Sequence, residues 1–381
     1  MATAAELGPL IRADAEIMER DRRLSDKVVD AVRESGLLRM RVPARYGGYQ
    51  TDLGTVTAVT AELGRADLST AWVVSSHAIS SWLVAVHPDA AQDEVFANPD
   101  GMVCAVLSPS ASAEPATGGY TVTGRWSFAS GAWHSDWAQL VAIAPTPGGA
   151  PAPLSILVPL ADLGIVDDWD TVGMRATGSV TLTADTVFVP VHRTAFLPPM
   201  LQEQYASERN AGEPAYRIPA VAGVSTAMTG PLLGTARAAL DSFLERLPGH
   251  GITYTEYDSQ SAAPVTQLAV AEAALLVSEI RSHTERAAAL LDSRAGRGEP
   301  VSMLERVEIR AAAGRVAQLA RRAVNTLGAA AGASSIRTGV PMQRLIRDVQ
   351  ALSLHALIRP DTTAELYGRL LVGLPPNTPF R

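Results

Sequence analysis

Residues 124–134 combine aromatic side chains, a serine and a glycine turn in a way that could hold a flat ligand. Three aromatic side chains could form its dry walls: Trp126, Phe128 and Trp133. Ser130 adds a hydroxyl, and the turn at Gly131 would leave backbone amides free to bond the edge of the ligand. The alternative is a strand that ends in an ordinary serine–glycine turn.

A second segment, residues 332–337, has the composition of a phosphate site. Ser334, Ser335 and Arg337 supply two hydroxyls and a guanidinium next to small residues. Backbone N–H groups can approach a phosphate closely at such a place. The same residues also suit a plain connection between two helices, so composition leaves both interpretations open.

Two histidines in apolar helices are candidates for proton transfer or hydrogen bonding. His355 follows the pair Arg347 and Asp348, which could itself be a structural ion pair. His77 lies in a hydrophobic helix that also contains serines such as Ser80. Because buried polar groups must find partners, this helix either lines a pocket or packs against another polar helix. A lone histidine on an apolar helix is more often a core residue than a catalyst.

No residue pattern indicates a metal site. The seven histidines are scattered, whereas metal motifs usually place their ligands a few residues apart. Cys104 is the single cysteine, which excludes a disulfide framework and a multi-cysteine cluster. A reduced, cytoplasmic protein is expected.

The chain has 381 residues, enough for one large domain or two to three ordinary ones. Its net charge of −7 argues against a nucleic-acid or anionic-membrane partner, because both need clustered positive charge. No window approaches the roughly 20 apolar residues of a membrane helix, and the first residues lack the pattern of a signal peptide. We therefore expect a soluble protein.

The hydrophobic pattern changes from helical to alternating near residue 103 and back to helical near residue 215. It predicts three domains: an N-terminal helical domain at 1–102, a middle β-domain with its connection at 103–214, and a C-terminal helical bundle at 215–381. The short strands and their Gly and Pro turns suggest a small antiparallel barrel or sandwich.

One predicted helix of the C-terminal part begins near Pro264 and carries an apolar stripe: Val265, Leu268, Ala271 and Leu275. Such a stripe is expected to pack against neighbouring helices. Helices this long and apolar usually form a bundle.

Several motifs, in chain order, resemble the acyl-CoA dehydrogenase fold over nearly the whole chain. They are Arg-Val-Pro-Ala-Arg-Tyr-Gly-Gly at 41–48, Glu-Leu-Gly-Arg-Ala-Asp at 62–67, the segment 170–179, Val-Phe-Val-Pro at 187–190, Gly-Pro-Leu-Leu-Gly-Thr-Ala-Arg at 230–237 and Pro-Met-Gln-Arg at 341–344. The resemblance implies an α+β protein with an N-terminal helical domain, a middle antiparallel β-barrel or sandwich, and a C-terminal four-helix bundle.

Other features resemble one group within this fold, the two-component monooxygenases that use reduced flavin (group D). The group includes p-hydroxyphenylacetate hydroxylase, dibenzothiophene monooxygenase and the nitrososynthases. The features are residues 126–131, His355 on the Arg-Asp helix, and the ending 366–374. The glutamate that serves as base in acyl-CoA dehydrogenases has no counterpart, because His355 and Ala356 stand where Tyr-Glu would lie.

The resemblance implies an oxygenase component that uses O2 and reduced FMN or FAD. The oxygen adduct would be a flavin C4a-hydroperoxide, which must be shielded from water. The substrate would be a small organic molecule, aromatic, polyketide-like or an amine, that is hydroxylated or otherwise oxidised.

The resemblance also implies roles for individual residues. Ser130 would donate near flavin N5, His355 would hydrogen-bond the distal peroxide oxygen, and His77 completes the expected catalytic set. The residues expected to bind flavin are Trp126, Phe128, Ala129, Ser130, Gly131, Ser334, Ser335 and Arg337. Those expected in the substrate pocket are Ser80, Trp82, Trp133 and His134.

One departure concerns the substrate. Phenol hydroxylases of the group tend to carry a histidine where this chain has Ser80. His77 lies three residues earlier, roughly one helical turn away. Either His77 takes over that role, or the substrate is not a phenol.

The implied partners are a separate flavin reductase and further copies of the chain in a homotetramer. In that assembly the serines and arginine of residues 332–337 would reach a neighbour's flavin phosphates. One alternative is an acyl-CoA dehydrogenase or oxidase with a relocated base, for which the carboxylates to consider are Glu62, Glu213 and Glu272. The other is a degenerate flavin-binding or scaffold protein without turnover.

Overall fold

The computed structural model describes residues 1–146 and 148–381. Five helices precede the strands: α1 (Ala2–Asp21), α2 (Asp26–Glu34), α3 (Leu53–Gly64), α4 (Leu68–Ala85) and α5 (Asp89–Val95). Side-chain caps begin three of them, because Ser25, Asp52 and Asp67 accept hydrogen bonds from backbone N–H groups of the first turns of α2, α3 and α4. No helix in the described residues combines the length and hydropathy that a membrane span requires.

The strands form one eight-stranded sheet between the two helical parts. They are β1 (Val103–Val106), β2 (Ala111–Ala116), β3 (Gly119–Ala129), β4 (Trp137–Thr146), β5 (Gly149–Pro159), β6 (Gly164–Val166), β7 (Val180–Pro190) and β8 (Thr194–Phe196). The order is β6-β7-β3-β2-β4-β5-β8, and β1 pairs with β4.

The sheet is mixed, which corrects the expectation of a purely antiparallel one. Both β1 and β2 run parallel to β4, while the β2–β3, β3–β7 and β4–β5 pairs are antiparallel. Strand alternation reports which face of a strand is buried and not the direction of its neighbour. The sequence pattern therefore could not distinguish the two kinds of pairing.

The C-terminal part is helical. Its helices are α6 (Leu197–Met200), α7 (Ala220–Ala227), α8 (Thr229–Arg246), α9 (Pro264–Arg297), α10 (Met303–Ala331), α11 (Pro341–Leu352) and α12 (Pro360–Leu371). A capping box begins α10, because the hydroxyl of Ser302 accepts from the Glu305 N–H and the Glu305 carboxylate accepts from the Ser302 N–H.

The predicted apolar stripe of α9 does not face its neighbours within this chain. Val265, Leu268 and Leu275 are 64%, 72% and 63% exposed. The buried face of α9 instead includes Leu276 and Ile280. The expectation that the stripe packs inside one chain is therefore wrong, because a second apolar face supplies the intrachain contacts.

Helices α3 and α8 cross closely at glycines, and this contact joins the N-terminal helices to the C-terminal ones. A Cβ on Gly64 would lie 2.7 Å from the carbonyl oxygen of Pro231, and one on Gly234 would overlap that of Ala61. Backbone at such a distance cannot move aside without shifting a whole helix. Both positions therefore require glycine.

We predict that Gly234→Ala lowers the free energy of unfolding by about 1–3 kcal/mol, the usual cost of overpacking. The matched control is Gly368→Ala in α12, where an added Cβ meets no atom within 4 Å. That control should be neutral or slightly stabilising because alanine favours helix. Denaturant unfolding followed by circular dichroism compares the variants, and equal stabilities would contradict the close crossing.

Candidate functional site

Ser130 lies where β3 ends against α4. The Ser130 N–H donates to the carbonyl of Phe128 at 3.0 Å, and the Gly131 N–H donates to Thr177 at 2.8 Å. Gly131 has a φ of +75°, and a Cβ there would lie 3.0 Å from Val73 on α4. The turn is thus pressed against α4, and the Gly131 amide expected to be free for a ligand is already bonded within the protein.

A chain of hydrogen bonds fixes the Ser130 hydroxyl. The Trp72 indole Nε1–H on α4 donates to Ser130 Oγ at 2.9 Å. Ser130 Oγ lies 2.7 Å from Ser179 Oγ, which lies 2.6 Å from the Thr177 hydroxyl oxygen. Thr177 donates to the carbonyl of Met174 at 2.8 Å. Because Trp72 only donates, Ser130 accepts from it and keeps its own hydrogen for Ser179 or for a ligand.

Phe128 presents its ring outward beside Ser130. The side chain is 69% exposed, and the backbone has a φ of +71°. A phenylalanine in this left-handed region is strained, and such strain clusters at functional sites. Its ring meets Trp169 edge-to-face with the centroids 5.8 Å apart. The exposed Phe128 ring lies where the sequence predicted a wall for a flat ligand. Ala129 was also expected to bind flavin, but its side chain is buried.

His355 was expected on the helix that carries Arg347 and Asp348, but that helix ends at Leu352. His355 lies in the turn between α11 and α12, where it contacts Trp72. Its ring centroid is 5.4 Å from that of Trp72. The Leu357 N–H donates to His355 Nδ1 at 3.3 Å, so the proton of the neutral ring is on Nε2. Burial lowers the pKa of His355 to about 4. At neutral pH the ring is therefore an uncharged donor.

Ser130 and His355 were both predicted from the sequence as site residues, but Trp72, which contacts both of them, was not. Trp72 touches Ser130 through its indole N–H and His355 through its ring. A tryptophan in a hydrophobic helix carries no signal beyond core packing, which explains why sequence reasoning missed it.

Along α4, only Ser76 and Ile79 are partly exposed, while every other residue of the helix is buried. They follow Trp72 at spacings of four and seven residues, which places all three on one face. On this face Trp72 contacts Ser130 and His355, while Ile79 lines the small cavity that also includes Arg41 and Trp82. The spacing was readable in the sequence, but nothing local showed that this face was the open one.

His77, expected to be catalytic, is a structural residue. Its Nε2 lies 2.8 Å from the Leu38 carbonyl oxygen, and its Nδ1 accepts from the Val103 N–H at 3.1 Å. Burial lowers the pKa of His77, so the ring stays neutral. With both nitrogens bonded to backbone, it ties α4 to the start of β1 and has no site left for a substrate.

The expected substrate-pocket residues on α4 are also occupied. Ser80 is buried and donates to the Ser76 carbonyl at 2.8 Å. The Trp82 indole donates to the Ala215 carbonyl at 2.8 Å. Trp82 does line a cavity, shared with Arg41, but its volume of about 20 Å³ holds a single water molecule. Neither side chain faces the space beside Ser130.

Three aromatic residues of the 124–134 segment lie away from the candidate site. Trp126 is fully buried in the core of the sheet and its indole donates to Val141 at 2.8 Å, so its expected flavin contact is wrong. Trp133 stacks under Arg23, whose guanidinium carbon lies 6.0 Å from the ring centroid. His134 lies 3.0 Å from the Leu24 carbonyl oxygen. The last two fasten the turn to the α1–α2 connection.

The 332–337 segment is only partly available as a phosphate site. Ser335 is buried, and its hydroxyl donates to the Gly332 carbonyl at 2.8 Å, so it caps the turn instead. Ser334 and Arg337 are exposed. Ser334 accepts from Arg246 Nη2 at 3.4 Å, and the buried Nε of Arg246 has no hydrogen-bond partner among the described residues. Arg246 is a candidate anion ligand that sequence reasoning missed.

Helix α11 lies between the 332–337 segment and the turn that carries His355, and its C-terminal half is anchored. Asp348 accepts from the Met174 N–H at 2.6 Å, and burial raises the pKa of Asp348 to about 7. Arg347 pairs with Glu19 at 2.5 Å, so the expected pairing of Arg347 with Asp348 is wrong. The helix has 12 residues, about 18 Å of length, so the 332–337 segment and His355 lie at opposite ends of it.

Family models for acyl-CoA dehydrogenases match both helical parts of the chain. The N-terminal domain model matches residues 5–98 and the C-terminal domain model matches residues 226–360. The FADH2-dependent resorcinol hydroxylase oxygenase component of a Rhizobium species is 31% identical, covering 98% of this chain and 94% of its own. The chain belongs to the flavin-dependent monooxygenases of the acyl-CoA dehydrogenase fold.

Solved structures agree with this membership. XiaF from a Streptomyces species, in complex with FADH2 and glycerol, superposes with a TM-score of 0.93 at 33% identity, covering 99% of this chain and 96% of its own. The 3-HSA hydroxylase of a Rhodococcus species gives 0.92 at 28% identity, covering 100% and 98%. This monooxygenase is therefore an oxidoreductase, an oxygenase component with reduced flavin as its cofactor.

The dehydrogenase alternative is not supported by the site. The carboxylates considered as a relocated base all pair elsewhere: Glu62 with Arg65, Glu213 with Gln50 and Glu272 with Arg322. The residues at the site do fit a flavin, since the site offers the outward ring of Phe128 and the Ser130 hydroxyl held by Trp72. At the far end of α11, Arg246 beside Ser334 has a buried Nε without a partner among the described residues. In the described residues, no group of three or more His, Cys, Asp or Glu side chains is placed to hold a metal.

We predict that His355 makes this monooxygenase less stable in acid. A histidine with a lowered folded pKa contributes full stability above its unfolded pKa of 6.5, and that stability is lost as the pH falls from 6.5 toward about 4. Lowering the pH from about 7.5 to about 5.5 should therefore cost about 1 kcal/mol through this ring. Urea unfolding at both pH values measures the difference.

In His355→Gln the loss of stability between the two pH values should be smaller than in the wild type by that amount. The control is His250→Gln, a change at an exposed histidine. An equal pH response in His355→Gln and the wild type would contradict a partly buried, neutral His355.

Proposed function

We propose that this monooxygenase holds reduced flavin between Phe128, Ser130 and His355 while O2 reacts. The observation that carries the proposal is the contact of Trp72 with both Ser130 and His355, because it places a hydroxyl donor and a neutral imidazole donor at one site. Reduced flavin, when bound, supplies two electrons to O2. One oxygen atom goes to the organic substrate and the other leaves as water.

Ser130 serves as the donor to a ring nitrogen of the flavin. Its oxygen accepts from Trp72. Because Thr177 donates to the Met174 carbonyl, Ser179 donates to Thr177, and Ser130 donates to Ser179 in the protein without ligand. When flavin binds, the Ser130 hydrogen turns from Ser179 to the flavin nitrogen. The Trp72 bond holds the Ser130 oxygen in place, and a donor held in this way lowers the reorganisation needed when charge develops.

His355 serves as the donor on the oxygen side. Its Nε2–H is free for this role because Nδ1 is bonded to Leu357. The neutral ring can hydrogen-bond oxygen without delivering a proton early, which would release hydrogen peroxide. Trp72 and Ile79 keep this side apolar and exclude water.

The substrate enters next to Ser76 and Ile79 on α4. Because both nitrogens of His77 are bonded to backbone, α4 supplies no base for a phenol. We therefore favour an electron-rich aromatic substrate that reacts without deprotonation by α4. A polyketide-like or amine substrate is compatible with the same site.

FAD is the preferred flavin in this proposal, and a separate reductase supplies it in reduced form. The support is the partnerless Nε of Arg246 near Ser334 and Arg337, which suits a phosphate. The resorcinol hydroxylase relative is FADH2-dependent, and XiaF binds FADH2. Use of reduced FMN is the alternative that the first experiment below compares.

A homotetramer would cover the exposed apolar face of α9. Val265, Leu268 and Leu275 form that face, and contiguous exposed apolar surface marks interfaces. In the tetramer the 332–337 segment would reach a neighbour's flavin.

The proposal also includes the domain organisation. It keeps domain limits at residues 102 and 214, a barrel form of the sheet and a four-helix bundle.

The deciding experiment mixes the protein, loaded anaerobically with reduced FAD or FMN, with oxygenated buffer. The absorbance of oxidised flavin should return only after a lag, and the lag should be longer with the preferred flavin. Ser130→Ala and His355→Ala should shorten the lag and increase the hydrogen peroxide released, whereas Ser112→Ala, at an exposed position of β2, should not. Return of absorbance at the rate of free flavin would overturn the proposal.

We further predict that Trp72→Phe shortens the lag about fivefold, because one neutral hydrogen bond contributes about 1 kcal/mol. The matched control is Trp82→Phe on the same helix, which loses the indole bond to the Ala215 carbonyl. That variant should lose stability and leave the lag unchanged. Equal lags in Trp72→Phe and the wild type would remove Trp72 from the site.

A further inference from the structure

The C-terminal tail, residues 373–381, folds back toward the turn that carries His355. The Arg369 side chain donates to the Pro375 carbonyl at 3.1 Å, and the Asn377 amide donates to Glu365 at 3.1 Å. Both bonds hold the tail along α12. Phe380 then packs, partly buried, against the large apolar core formed by the N-terminal and C-terminal helices.

Arg310 on α10 joins this tail to the His355 turn. Its Nη1 donates to the Phe380 carbonyl, and its Nε donates to the Leu357 carbonyl at 3.3 Å. The side chain is 7% exposed, and in the described residues no carboxylate lies within ion-pair distance of it. A buried guanidinium bound only to carbonyls costs free energy, so packing alone does not explain it.

The Leu357 backbone connects Arg310 to His355. Its carbonyl accepts from Arg310, and its N–H donates to His355 Nδ1. The Ile358 N–H donates to the His355 carbonyl at 3.0 Å, which closes the turn. The Leu357 carbonyl shares a peptide plane with the Ile358 N–H, so the Arg310 bond and the Ile358–His355 bond hold the same unit of this turn. The Leu357 N–H is one Cα away in that turn, and it decides which nitrogen of His355 carries the proton.

We propose that Arg310, anchored by the Phe380 carbonyl, is a positioning residue that fixes the Nε2–H tautomer of His355. The C-terminal tail thereby takes part in the site without touching the flavin. The catalytic meaning of this inference depends on the proposed function, but the tautomer itself is a property of the protein without flavin.

Among the described residues, no charged side chain contributes to the lowered pKa of His355. The ring of Trp72 from α4 and the Leu357 N–H are its neighbours, and burial is the cause of its lowered pKa. Loss of the Arg310 bond would let water reach the turn. The ring would then sample both tautomers and titrate closer to an exposed histidine.

The test uses the full chain, labelled with ¹⁵N-histidine and free of flavin, and its readout is the NMR signal of each ring nitrogen. The His355 signals are identified by their absence in His355→Gln. In the wild type, Nε2 should be protonated and Nδ1 should not. In Arg310→Met, both tautomers should appear and the pKa of His355 should rise from about 4 toward 6.5.

Three further variants separate positioning from general destabilisation. Arg310→Lys should retain most of the wild-type tautomer, since it can still donate to a carbonyl. Deletion of residues 375–381 removes the Phe380 carbonyl and should change the His355 signals in the same way as Arg310→Met. The deletion therefore tests the inference even if Arg310→Met fails to fold. Arg359→Met is the control, because this exposed arginine near the turn pairs only with Asp361 at 2.7 Å, and it should change nothing.

Unchanged His355 signals in a folded Arg310→Met or in the tail deletion would overturn the inference. If the signals change as expected, Arg310→Met loaded with reduced flavin should also release more hydrogen peroxide. If the tautomer changes while the wild type shows no lag in flavin oxidation, the proposed function fails and the positioning of His355 by Arg310 stands.

Discussion

The hydrogen bond from the Trp72 indole to the Ser130 hydroxyl is the contact on which the site depends. It joins residues 58 positions apart, one on an N-terminal helix and one at the end of a strand. It requires α4 to press against the turn after β3, which glycine at position 131 allows because a Cβ would crowd Val73. The same indole reaches His355 from the C-terminal helices. One side chain therefore brings all three parts of the chain together.

His77 and His355 differ in the hydrogen-bond partners that surround their rings. His77 and His355 both accept a backbone N–H at Nδ1, and burial lowers the pKa of each. The Nε2 of His77 meets the Leu38 carbonyl, so the ring only ties elements together. The Nε2 of His355 has no protein partner in the described residues and faces the site. One backbone acceptor at Nε2 therefore separates the structural His77 from His355, whose Nε2 is the donor in the proposed function.

Hydrogen bonds from fixed elements support the His355 turn from two sides. Asp348 and Arg347 attach α11 to residues Met174 and Glu19, while Arg310 attaches the following turn to the tail. In the proposed function His355 donates to oxygen in one orientation, and such support would restrict the turn before the ligand binds.

The sequence by itself indicated the order of helical, strand and helical regions, the family, and Ser130 and His355 as the residues that carry its signature. These follow from short-range patterns: apolar spacing, turn residues and ordered motifs. Only the tertiary structure decided which neighbours those residues meet. In the tertiary structure the side chains of Trp126, His77 and Ser335 bond to backbone carbonyls within the protein. Trp72 contacts Ser130 and His355, and Arg310 bonds the turn that follows His355. The α9 stripe is exposed, and β1 and β2 run parallel to β4. The physical reason is that side-chain periodicity reports which face is buried, whereas partners far apart in sequence are selected by packing and hydrogen bonding in three dimensions.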